Sequence, residues 1–248
     1  RAAADPAQCL QLARDLVRVK ILNSRTLLRR NHPDAPQDAL DALKQCADNA
    51  TTTGSLESLL GVEGMAAKTY FAHFGALLKP TTPATAPPDA TLNFAFEHRN
   101  RRPPRDPINA MLSFAYALFT KDWSITLAAV GFDPYLGFYH QPRYGRPALA
   151  LDMMEPFRPL IPDSVVLWAV NNGVVALNDF LRRGGGVALK DDARRRFILA
   201  YEKRMDDLVT HPVFNYRISY RRVLEVQARL LARALTGEIP RLPDFLTR

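Results

Sequence analysis

The sequence is poor in cysteine, tryptophan and glycine: its 248 residues include two cysteines, two tryptophans and 12 glycines. Cys9 and Cys46 each fall in a helical pattern. Two isolated thiols exclude a disulfide framework and a cysteine-rich zinc site. They read as small buried apolar residues, which fits a reducing cytoplasm. No apolar run reaches the roughly 20 residues that span a bilayer. The longest, over 164–177, is broken by Asn171, Asn172 and Gly173. A basic start followed by an apolar core is also lacking over the first residues, so no signal peptide is expected among them. The glycine-rich stretch FLRRGGGVAL lacks the G-x-x-x-x-G-K-[ST] pattern and is expected to form a small hairpin, not a nucleotide loop. Acidic residues are in deficit, 25 against 33 Lys and Arg, giving a net charge of +8. That balance points to a polyanionic partner, nucleic acid before a membrane surface.

Helical periodicity dominates what is present. Asp5 and Pro6 are an N-cap and a first-turn proline, followed by Leu10, Ala13, Val17 and Ile21 at inward spacing. Further helices are expected over 36–49, from Ser55 to about Leu78, from Asp106-Pro107 onward, over 121–132, 164–178 and 190–211, and over 219–236. The chain therefore reads as one all-α, multi-helix domain over 1–248, with small hairpins only. A mobile Pro/Thr loop at 79–90 lies inside it, and residues 91–97 form a short extended piece. His98 to Pro107, HRNRRPPRDP, carries Arg99, Arg101, Arg102 and Arg105 among three prolines. It cannot pack as a core and reads as a basic arm that lies along phosphates. Asn109, Ser113 and Tyr116 form a polar stripe on the next helix, either a contact surface or a buried hydrogen-bond network.

The stretch HQPRYGRPALALDMMEPFRP places His140 ahead of Asp152 and Glu155, with Arg143, Arg146 and Arg158 around them. Asp152-x-x-Glu155 is also a capping box, with Asp152 as the expected N-cap. Earlier in the chain, Glu63 sits in an apolar helix between Gly61 and Gly64. It faces either solvent or a cleft. An imidazole and two or three carboxylates from separate segments suit a divalent cation of the Mg²⁺ or Mn²⁺ class. Beside a basic surface, that set points to phosphodiester chemistry.

The segments GVEGMAAKTYFAHF, NRRPPRDPINAMLSFAYALF, GFDPYLGFYHQPRYGRPALALDMMEPFRP, YEKRM and SYRRVLEVQARLLARAL together closely resemble the CRISPR-associated adaptation integrase, the endonuclease family called Cas one. The resemblance implies a helical catalytic domain with a basic cleft, in which Glu63, His140 and Glu155 bind one Mg²⁺ or Mn²⁺ and Asp152 supports them. It places Asn109, Ser113 and Tyr116 along the cleft. It also implies metal-dependent endonuclease and integrase activity, in which a captured DNA is inserted at a CRISPR repeat by 3′-hydroxyl transesterification. The implied partners are double-stranded DNA, the small companion Cas two and a second copy of the chain. The β-rich domain that the family carries ahead of the helical one is not expected within these residues. A non-catalytic helical module that binds nucleic acid is the alternative.

Overall fold

Local chemistry starts each helix. In the computed structural model, which describes residues 5–80, 89 and 91–247, Asp5 accepts from the amides of Ala7 and Gln8 and opens α1, Pro6–Asn31. Helix α2 is Gln37–Ala50. Ser55 accepts from the Ser58 amide to open α3, Leu56–Phe74. Asp106 accepts from the Asn109 amide and, with Pro107 in the first turn, launches α4, Pro107–Val130. Each of these caps satisfies amides that lack a partner within the helix. Short helices α5 (Ala148–Met154) and α6 (Ser164–Asn171) follow, then α7 (Asp191–Asp206) and α8 (Tyr220–Leu235).

Strand pairing among the described residues is confined to two antiparallel ribbons and one isolated bridge. Strand β1 (Phe180–Arg183) pairs with β2 (Gly186–Leu189), the hairpin expected at the glycine-rich stretch. Strand β3 (Leu208–Thr210) pairs with β4 (Arg217–Ser219). No helix among the described residues is long and apolar enough to cross a membrane.

The structure corrects several expected boundaries. The helix expected over 121–132 is the second half of α4, because nothing between Thr120 and Lys121 breaks the backbone. Gly131, at φ 102°, supplies the left-handed stop. The buried helix expected to reach 178 ends at Asn171, where Asn172 and Gly173 turn the chain. The helix expected over 190–211 ends at Asp206, and the β3–β4 ribbon follows it. Residues 91–97 form no strand. Their aromatic rings pack instead, Phe94 on Phe180 and Phe96 on Phe71 and Phe74. Most of the expected loop at 79–90 lies outside the described residues. Its Asp89 pairs with Arg182.

The core lies where α1 and α4 meet the segment after α5. A 3-10 turn, Glu155–Phe157, runs into a π-helical turn, Pro159–Asp163, that contains Pro162. This segment packs on α1 and α4. Phe157 sits with Trp123 and Phe245 at ring-centre distances of 5.7 and 5.0 Å. Asn23 of α1 has no exposed surface, and its amide nitrogen donates to the carbonyls of Pro156 and Phe245, each at 2.9 Å. Burying an amide is costly unless it is bonded in this way. The bond to Pro156 fixes the backbone beside Glu155.

Candidate metal and nucleic-acid site

Asp152 is the anchor. Its Oδ2 accepts from the amides of Phe138 (2.7 Å) and Tyr139 (3.1 Å), and its Oδ1 from the amide of His140 (2.8 Å). The side chain is fully buried. It therefore lies in the body of α5, and the expected capping box is not formed: Pro147 occupies the N-cap position without a side-chain bond. The carboxylate finds three amides in the facing loop, more than a cap offers. That loop approaches so closely that a Cβ on Gly137 would lie 2.7 Å from the Ala148 Cβ and 2.8 Å from Asp152 Oδ2. Only glycine fits there.

Asp152 Oδ1 is also 2.7 Å from His140 Nδ1. A carboxylate can only accept at that distance, so Nδ1 carries a proton, and in the neutral imidazole Nε2 presents its lone pair. Nε2 lies 3.7 Å from Glu155 Oε1. Glu155 is 1% exposed and also takes Arg158 Nη2 on Oε1 at 2.8 Å.

Glu63 points into this cluster, not outward. Tyr139 donates its hydroxyl to Oε2, and Lys20 of α1 bonds Oε1. The Lys20 ammonium is also 2.7 Å from Glu155 Oε2, bridging the two carboxylates. Burial alone would raise the pKa of Glu63, but Lys20 first, then Tyr139 and Arg158, bring it down to about 2. Burial pulls the pKa of Lys20 down, and the two carboxylates more than reverse that. Glu63 is thus a fixed anion at neutral pH. Gly61 and Gly64 do not mediate close packing, since a Cβ at either would meet nothing within 4 Å.

The structure thus brings Glu63, His140 and Glu155 together, but around an ammonium. Among the described residues no three His, Cys, Asp or Glu are arranged as a metal-binding group. The donor set nonetheless fits a hard cation. It has two carboxylates, an imidazole with its free nitrogen inward, and a buried Glu155 Oε2 that has no well-directed hydrogen bond despite its contact with Lys20.

Around the cluster, the polar stripe on α4 is a hydrogen-bond network. Asn109 is fully buried. Its Oδ1 accepts from Arg99 (2.7 Å) and the Asn100 amide, and its Nδ2 donates to the His98 carbonyl and Asp106. With no exposed surface it cannot touch DNA itself; it holds the basic arm to α4. Ser113 accepts from Arg99 at 3.0 Å. Tyr116 donates to Asp163 at 2.7 Å, with Arg99 and Arg158 over its ring. Asp163 also takes the Tyr70 hydroxyl, and burial pushes its pKa up to about 6. Arg101, Arg102, Arg105 and Arg143 are exposed, and Arg146 is half-buried. Arg101 joins Lys20, Glu63, Tyr116, Arg158 and Asp163 around a cavity of about 60 Å³.

Sequence reasoning missed Lys20, Asn23, Tyr139 and Asp163 as site residues. Lys20 sits on α1 among basic residues that look like a solvated face, and only the fold turns it towards Glu63. Tyr139, adjacent to His140, was the one with a sequence signal.

Comparison with known proteins places the chain among relatives. The family profile described as CRISPR associated protein Cas1 matches residues 1–203. A CRISPR-associated exonuclease Cas4/endonuclease Cas1 fusion of Geobacter sulfurreducens is 56% identical over 250 residues, covering 98% of this chain and 44% of that protein. The chain therefore spans less than half the length of that relative. Among solved structures, a partial Cas6-RT-Cas1–Cas2 complex superposes with a TM-score of 0.81 at 27% identity, over 99% of this chain and 70% of that one. A casposase bound to integration product gives 0.80 at 25% identity, over 98% and 65%. By the span of the family match, the chain belongs to the CRISPR-associated Cas1 family.

Proposed function

We propose that this chain carries the catalytic centre of a metal-dependent DNA integrase and endonuclease of CRISPR adaptation. The observation that carries the reading is the His140 ring, locked by Asp152 through Nδ1 and turned by Nε2 towards Glu155, with Glu63 opposite. Glu63, His140 and Glu155 would hold one Mg²⁺ or Mn²⁺, with Asp152 orienting the imidazole. When bound, such an ion supplies a hydroxyl of lowered pKa and neutralises charge on the phosphate. Arg158, bonded to Glu155, keeps that carboxylate in place. Arg101, Arg102, Arg105, Arg143 and Arg146 face the backbone of double-stranded DNA without reading its sequence. Arg99 is held by Asn109 and Ser113 and positions the arm.

The reaction is attack of the 3′-hydroxyl of a captured DNA on a phosphodiester at the edge of a CRISPR repeat. The bond formed is the new 3′-oxygen to phosphorus bond, and the bond broken releases the 3′-oxygen of the repeat strand. Likeness to the Cas6-RT-Cas1–Cas2 complex supports Cas2 as partner, and likeness to the casposase bound to its integration product supports DNA. A homodimer, acting in the cytoplasm, completes the proposal.

One feature favours the alternative, a binding module without catalysis: the Lys20 ammonium bridges both carboxylates. A strand-joining assay separates the two. Glu63→Gln and His140→Ala should each abolish joining in Mn²⁺ while leaving duplex binding within a few-fold. A wild type that binds duplex but joins no strands leaves the binding module, and joining that survives both substitutions overturns the site.

A further inference from the structure

The face of α1 that presents Lys20 continues to a second, larger cavity. Lys20, Ser24, Leu27 and Asn31 are spaced as one helical stripe. The first two line the small cavity at Glu63, and the last two line one of about 480 Å³. With about 1.5 Å of rise per residue, Leu27 lies roughly 10 Å beyond Lys20 along α1. The opposite wall is built the same way. Pro159 and Asp163 face the small cavity, and Leu160, Ser164 and Trp168 face the large one. The volume is that of an ordinary ligand pocket, about 300–1,000 Å³.

Its lining combines an aromatic face with uncompensated positive charge. Trp168 is 41% exposed, and the Lys203 ammonium stands 5.3 Å from its ring centre. Neither Lys203 nor Arg30 has a carboxylate partner among the described residues. The one carboxylate on the wall, Asp207, is taken by Arg204 at 3.1 Å. Leu27, Leu160 and Val165 add apolar surface.

We propose that this cavity holds a nucleotide of a single DNA strand, with its base against Trp168 and its phosphates facing Lys203 and Arg30, a few nucleotides from the phosphodiester at Glu63. The proposal rests on the reading of the chain as acting on DNA. Stacking on an aromatic ring beside cations is how single strands are held without sequence preference. An acidic peptide would use the cations but leave the ring and the apolar surface unused.

Fluorescence tests it, because the other tryptophan, Trp123, is fully buried. A short thymidine oligonucleotide should quench the protein's emission saturably. Trp168→Ala should remove the quench and weaken binding, read by anisotropy, about tenfold. Lys203→Gln with Arg30→Gln should weaken binding by a similar factor. Glu63→Gln should keep the quench while stopping strand joining, which separates this site from the catalytic one. Oligonucleotide binding without a quench would overturn the proposal, as would unchanged affinity in the Lys203/Arg30 variant or an equal quench by poly-glutamate. If duplex binding and joining persist in those cases, the cavity proposal alone fails. If DNA of neither form binds, the functional reading fails with it.

Discussion

Two carboxylates, half-buried Glu63 and fully buried Asp163, sit on either side of the same seam and are kept in opposite ways. Glu63 is surrounded by cations, Lys20 first, and its pKa falls to about 2. Asp163, packed against the same α1–α4 region, is met mainly by the hydroxyls of Tyr70 and Tyr116, and burial lifts its pKa to about 6. Hydroxyls bond a carboxylate without balancing its charge, whereas ammonium and guanidinium groups do both. The Glu63 side of the seam is therefore a permanent anion cluster suited to a cation. The Asp163 side is a latch that ties α3 and α4 to the π turn. Proximity to the site does not by itself make an acid a ligand.

The largest expected effect comes from Glu155. Glu155→Gln should abolish joining. It should also lower unfolding free energy in denaturant by about 3 kcal/mol, because it leaves Lys20 and Arg158 without their shared buried anion. On the latch, Tyr70→Phe should cost about 1–3 kcal/mol by stripping a donor from buried Asp163, with joining preserved. If joining falls as far as in Glu155→Gln, the division between the two sides collapses.

The two acids should also have opposite pH signatures. The pKa of Glu63 is lowered from 4.5, so its stabilisation is present above about pH 4.5 and lost as pH falls towards 2. The pKa of Asp163 is raised from 3.8, so its contribution is present below about pH 4 and lost as pH rises through about 6. A tenfold difference in proton affinity between folded and unfolded chain is worth about 1.4 kcal/mol. Thermal melting of metal-free protein from pH 3 to 7 should lose the acid-side decline in Glu63→Gln and the decline between pH 4 and 6 in Asp163→Asn. The smallest effect is expected from Gly64→Ala, whose new Cβ meets open space in a helix. It should stabilise by about 0.5–1 kcal/mol. A variant that is stabilised yet impaired in joining would show that the glycine leaves room for DNA.

Much of this was legible in the sequence. Caps at Asp5, Ser55 and Asp106 sit where their residue types predict, because capping is a local matter. Glu63, His140 and Glu155 could be named together because their segments resemble the Cas one family; composition alone left Glu63 facing either solvent or a cleft. Tertiary burial overrode local signals elsewhere. Asp152 spends its oxygens on the loop amides of Phe138, Tyr139 and His140 and not on its own helix end. Asn109 is sealed under Arg99. Lys20 could not be told from its neighbours Arg14 and Arg18, because only the meeting of α1 with α3 and the turn after α5 gives it two carboxylates. Three-residue strands such as β3 and β4 carry too few side chains to show an alternation.

The most direct measurement is a Mn²⁺ titration followed by electron paramagnetic resonance. The account predicts one bound Mn²⁺ per chain in the wild type, lost in Glu63→Gln, His140→Ala and Glu155→Gln. It predicts tighter binding in Lys20→Gln, where the competing ammonium is gone. Binding that is absent from the wild type, or unchanged in the first three variants, would contradict it.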